Sequence, residues 1–79
     1  MAIEPVQVKA RWDGAGFSPR HFIWKGQVFP VESTGRQWED DEGVHVLCMV
    51  SGGAVFELVF RLRPAGWWVN PPINFTAAA

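Results

Sequence analysis

Between Ala54 and Arg63 the chain reads AVFELVFRLR, with Phe56, Leu58, Phe60 and Leu62 at the even positions and Glu57, Arg61 and Arg63 among the odd ones. Successive side chains of a strand leave opposite sides of the backbone, so a period of two describes one buried face and one wet face. The same alternation sets Val6, Val8, Ala10 and Trp12 against Gln7, Lys9 and Arg11. In HFIWK it sets Phe22 and Trp24 against His21, Ile23 and Lys25. Turns with glycine lie between these runs, at Asp13-Gly14-Ala15-Gly16, Lys25-Gly26 and Ser51-Gly52-Gly53. Short glycine-bearing links between apolar runs are hairpin signals, because glycine reaches positive φ without a Cβ clash. Pro64-Ala65-Gly66 turns the chain into a last strand, Trp67–Asn70, and Pro71-Pro72 ends the ladder for want of N–H donors. Ser33–Gly43, polar with Trp38 in its middle, reads as a loop or a broken strand end.

Six short antiparallel strands, joined mostly by hairpins, predict an all-β meander curled into an SH3-like or partly open barrel or roll. The 79 residues make one β domain, residues 1–79, with an ordered core at about 3–70 and a loosely attached tail at 71–79. So short a chain hides only about 60% of the surface its unfolded form exposes. It needs large core side chains, a staple or a partner. Five Trp and six Phe supply the first, each ring burying roughly 150–250 Å². The expected core is Val6, Val8, Phe22, Trp24, Phe56, Leu58 and Phe60. Trp67 and Trp68, being adjacent, put one ring on each face of their strand.

Composition narrows the chemistry. Seven basic and eight acidic side chains give a formal charge of −1, which speaks against a dedicated duplex-DNA binder. Cys48 is the one cysteine, so no intramolecular disulfide forms, and a reducing, cytoplasmic setting is expected. No signal-peptide pattern opens the chain and no apolar run reaches a membrane span, so no membrane association is expected. A structural zinc site takes about four Cys or His ligands, whereas the chain offers His21, His45 and Cys48. His45 and Cys48, three apart on a strand, point to opposite faces. His45 reads as a surface or edge histidine and Cys48 as a small buried thiol, inert between Leu47 and Met49.

Ser51-Gly52-Gly53-Ala54 links two strands rather than opening a helix, so it is a turn and not a phosphate cradle. The acidic run Glu39-Asp40-Asp41-Glu42 lacks the alternating oxygen ligands of a calcium loop and reads as solvated. No catalytic residue, metal site or cofactor is expected, and the protein is read as no enzyme.

What remains is a face. The outward set contains Lys9, Arg11, His21, Lys25, Arg61 and Arg63, with Ile23 and Val59 interleaved and Trp68 as a candidate anchor. Basic groups mixed with apolar ones suit single-stranded nucleic acid, where backbone charge and base stacking both contribute. They equally describe a solvated face balanced by Glu32 and Glu57. Barrel closure is expected to merge Lys9 and Arg11 with Arg61 and Arg63.

The residues Pro19-x-x-Phe22-x-Trp24-x-Gly26-x-x-Phe29-x-Val31, then Trp38, then Gly53-x-Val55-Phe56-Glu57-Leu58, then Trp67-x-Val69, resemble a family of short uncharacterised bacterial proteins. This domain of unknown function occurs alone, or attached to or encoded near Y-family DNA polymerase-like proteins of damage tolerance. The resemblance spans roughly residues 5–70. It implies a compact β domain and a link to DNA-repair machinery, and it carries over no catalytic residue. Around Trp38 this chain departs from the pattern, with an acidic run in place of a second tryptophan and basic residues. The expected function is a non-enzymatic binding or accessory module for single-stranded nucleic acid or a repair protein. The alternative is a self-associating structural domain, a homodimer with no other ligand.

Overall fold

Six strands carry most of residues 3–14 and 16–72, which the computed structural model describes. They are β1 (Glu4–Trp12), β2 (Phe17–Trp24), β3 (Gln27–Asp40), β4 (Gly43–Val50), β5 (Val55–Leu62) and β6 (Ala65–Asn70). Each pairs antiparallel with the next, and β6 returns to β1 through Glu4↔Val69, Pro5↔Trp68 and Val6↔Trp67. The result is a small SH3-like barrel, closed rather than partly open. Among the described residues no helix is long and apolar enough to cross a membrane. Most of the tail expected at 71–79 lies outside the described residues.

The β2–β3 hairpin follows from its turn. Lys25 and Gly26 take φ of 52° and 74° between the paired residues Trp24 and Gln27. Two successive left-handed residues give the twist that a two-residue hairpin needs.

Of Ser33–Gly43, expected as a loop or a broken strand end, the part up to Asp40 is the second half of β3. The strand runs 14 residues because it changes partner, from β2 (up to His21↔Pro30) to β4 (Val31↔Val50 through Asp40↔Gly43). Register shifts between Val31 and Ser33 and between Thr34 and Gln37 insert unpaired residues. Each bulge breaks the period of two, so the sequence there does not look like a strand. Where β2 and β3 part, the Gln37 side chain joins them again. Its Nε2 donates to the Phe17 carbonyl, and its Oε1 accepts from the Phe17 N–H, both at 3.1 Å.

The core is aromatic at both ends. Phe56 is fully buried, with ring centroids 5.1 Å from Phe22 and 5.4 Å from both Trp24 and Phe29. Val46, Cys48, Val50, Leu58 and Val69 complete this cluster, and Val6 and Val8 pack half-buried against it. Phe60 belongs to a second group, 5.1 Å from Phe17 and 5.2 Å from Trp67. That group closes the barrel end where the β1–β2, β3–β4 and β5–β6 turns gather. Trp67 therefore points in and Trp68 out.

Cys48 is buried in the main cluster, and burial pushes its thiol up to about 11. Native protein at neutral pH should react slowly with a thiol reagent and unfolded protein quickly, since only the thiolate attacks. Equal rates in the two states would remove Cys48 from the core.

Candidate functional site

The β1–β2 pair contains one irregularity with a chemical consequence. Lys9 pairs with His21 and Ala10 with Pro19, so Arg20 is the extra residue of a bulge. Counting back from Phe22 in twos would aim Arg20 inward. The bulge turns it out to solvent and puts Pro19 in the interior instead. Lys9, Ala10, Arg11, Arg20 and His21 then line one groove of about 440 Å³. Every charged side chain on that lining is basic. A second hollow, of about 570 Å³, continues it into the gap where β2 and β3 part, sharing Arg11 and Arg20 and adding the hydroxyls of Ser18, Ser33 and Thr34 with Asp13 and Glu32.

Three of the seven residues expected on the binding face, Lys9, Arg11 and His21, therefore come together. The other four do not line the groove. Lys25 sits in the β2–β3 turn with its ammonium 5.1 Å from the Trp24 ring. Arg61 lies over Trp68 at 5.1 Å, with its guanidinium 3.2 Å from a Glu42 oxygen. Arg63, in the β5–β6 turn, lines a hollow with Glu39, Asp40, Asp41 and Glu42. The expected merging of the four charges does not occur, because β1 closes on β6 rather than on β5. Arg20 was invisible to simple alternation. The signal was present nonetheless: arginine is almost never packed inside unpaired, and a neighbouring proline marks bulges.

The opposite side of the barrel carries a buried polar network. Trp38, His45, Val59 and Trp68 form one row across β3, β4, β5 and β6 on the outer face. His45, expected at the surface, is only 4% exposed, and Val59, expected among the exposed basic groups, 1%. The rings at each end of the row cover what lies between them. His45 is stacked on Trp38, with centroids 4.9 Å apart and planes 3° from parallel. Its Nδ1 lies 2.6 Å from Glu57 Oε2 and its Nε2 2.8 Å from Asp40 Oδ1. Two carboxylates can each accept only if both ring nitrogens donate, which makes the ring an imidazolium.

Burial opposes that charge, but the hydrogen bonds and charges of Asp40 and Glu57 outweigh it and hold His45 above the ordinary 6.5. The hydrogen bond from His45, then that from the Glu42 N–H, holds Asp40 below the usual carboxylate value. Asn70 donates to the other Glu57 oxygen at 3.4 Å. Asp40, Glu42 and His45 present donor atoms within 4.8 Å of one another, a spacing compatible with a cation. Here both His45 nitrogens are engaged and Arg61 already faces Glu42. The network holds a proton and ties β3, β4, β5 and β6 together. In comparisons with known proteins, no family model, no curated protein and no solved structure matches this chain.

Proposed function

We infer that the protein is a non-enzymatic binding module whose β1–β2 groove takes single-stranded nucleic acid. One observation carries this reading. The net charge of −1 hides an uneven distribution: the groove itself has a wholly basic charged lining, four of the eight acids gather at the β3–β4 turn, and Asp13 and Glu32 border the adjoining hollow. A phosphate backbone meets such a groove with little repulsion, and the adjoining hydroxyls offer further donors. The resemblance to proteins found beside damage-tolerance polymerases points to a strand exposed during repair.

A labelled oligothymidine should bind with a log–log salt slope near −2, since each of three engaged cations contributes about −0.7. Arg11→Ala/Arg20→Ala should weaken binding at low salt and flatten the slope. Binding that is absent at low salt, or unchanged in the double variant, would end the nucleic-acid reading.

Self-association is the second reading. Ile23 and Val28 face each other across β2 and β3 on the outer surface, both exposed. A dimer made there should be insensitive to salt and lost in Val28→Lys.

A further inference from the structure

The basic groove is short. Lys9 and His21 face each other across β1 and β2, and Arg11 and the bulged Arg20 lie beside them in the same groove. Two residues of a strand, Lys9 to Arg11, span only about 7 Å. On one side of them the next outward pair is Gln7 and Ile23, neither of them charged. On the other side the hollow that continues the groove holds Asp13 and Glu32. Positive charge is therefore bounded in both directions along β1, and it forms a spot rather than a track. Building on the nucleic-acid reading of this groove, we infer that its ligand is the end of a strand carrying a terminal phosphate, a phosphomonoester, and not the backbone in the middle of a strand.

The cations of the spot are free to act on a ligand. Lys9, Arg11 and Arg20 are three of the seven lysines and arginines. Neither they nor His21 make an ion pair among the described residues. The other four do not extend the spot. Lys25 lies on Trp24 and Arg36 on Trp38, Arg61 is held by Trp68 and Glu42, and Arg63 sits beside the acids of the β3–β4 turn.

An interior backbone carries one charge per phosphate, evenly spaced along the strand. After its first contacts here it would run onto Glu32 and Asp13, which repel it, or onto Gln7 and Ile23, which give it no partner. A phosphomonoester concentrates about −1.5 to −2 charges and three acceptor oxygens in one group at pH 7. The guanidinium forks of Arg11 and Arg20 and the Lys9 ammonium match those oxygens as charge-assisted donors. Next to a terminal phosphate comes a nucleoside, which is uncharged and bears hydrogen-bond donors. The adjoining hollow offers it the hydroxyls of Ser18, Ser33 and Thr34 and the carboxylate of Glu32. These accept from sugar hydroxyls and base amino groups, while Glu32 turns a second phosphate away. The carboxylates that hinder a continuous backbone thus suit a strand that ends there.

The test offers one oligothymidine in four forms: with hydroxyls at both ends, with a 5′-phosphate, with a 3′-phosphate, and closed into a circle. Each competes with a labelled strand at low salt. A phosphate-ended form should bind about tenfold tighter than the hydroxyl-ended strand or the circle, and the tighter of the two identifies which end is held. Arg20→Ala should remove most of that preference. Glu32→Lys, which carries positive charge across the hollow, should raise the affinity of the circle and so narrow the preference. Both changes fall on exposed side chains. All four forms binding alike, or a preference that Arg20→Ala leaves untouched, would overturn the strand end and leave the groove a backbone site. Thymidine monophosphate or a phosphoserine peptide competing as well as the phosphorylated strand would also overturn it. No binding by any form at low salt would end the nucleic-acid reading itself, so the two failures are separately visible.

Discussion

Phe56→Ala is expected to lower stability by about 3–5 kcal/mol, the range for removing a buried ring from a packed core. Phe56 has no exposed surface, and three other rings surround it at just over 5 Å. Its loss removes the transfer free energy of the ring and leaves a cavity as well. The cavity cannot collapse cheaply, because the wall is a closed ladder in which moving one strand disturbs two neighbours. In a domain of this size each kcal/mol shifts the melting temperature by roughly 4–8 °C. The variant should therefore melt at least about 12 °C below wild type, having lost much of the roughly 5–15 kcal/mol typical of a whole domain. Val55→Ala, one residue away but exposed, is the control and should stay within about 0.5 kcal/mol of wild type. Thermal melts of the two variants that lie within a few degrees of each other would place Phe56 on the wrong face.

The second large effect depends on pH. His45 is held above 6.5 in the folded barrel, so its contribution is fully present below 6.5 and disappears as pH rises through the folded value. Asp40 is held below 3.8, so its contribution is present above 3.8 and is lost as pH falls through its own folded value. Stability should therefore be greatest on the mildly acidic side and decline from pH 6.5 upward. Urea midpoints between pH 6 and 7.5 measure this, more than a unit below the ordinary value of 9.0 at which the Cys48 thiol ionises in the unfolded chain.

His45→Phe keeps a ring against Trp38 but removes the imidazole donor from both carboxylates, leaving Glu57 with the long bond from Asn70 and Asp40 with the Glu42 N–H. It should cost about 1–3 kcal/mol at pH 6, mostly through the more enclosed Glu57, and should have a flatter profile to pH 7.5. A wild-type midpoint that rises with pH over this range, or a variant that follows the wild-type decline, would show that His45 is not the titrating group.

The fold was legible where the ladder is regular. β1 and β5 show their alternation openly, the turns carry their glycines, and Trp67 and Trp68 divide between the two faces as adjacency requires. It became illegible at bulges. The second half of β3 looks like a loop because its register shifts break the period of two, and only the presence of β4 beside it restores a strand. Arg20 was lost in the same way, through a single extra residue before Phe22.

His45 and Val59 show a different limit. Alternation assigns both correctly to the outer face, but whether an outward side chain meets water depends on what its cross-strand neighbours are. Trp38 and Trp68 occupy those places only once the register is known. The acidic run Glu39–Glu42 is exposed as expected, but Glu39 and Asp40 end β3 instead of lying in a loop.

Closure of the ladder bears on how the barrel assembles. Five of its six strand pairings join consecutive strands, and each can form as a local hairpin before its neighbour exists. β1 with β6 is the exception, uniting the two ends of the described chain through three residue pairs. The entropy of bringing such distant segments together must be met before those few pairs give anything back, whereas each hairpin closes a short loop. The meander therefore forms first as an open, curling sheet, and closure comes late. The same order in reverse makes this short seam the first place for the native barrel to part, so transient opening there would bare the edges of β1 and β6 while the Phe22–Phe56 core remains packed.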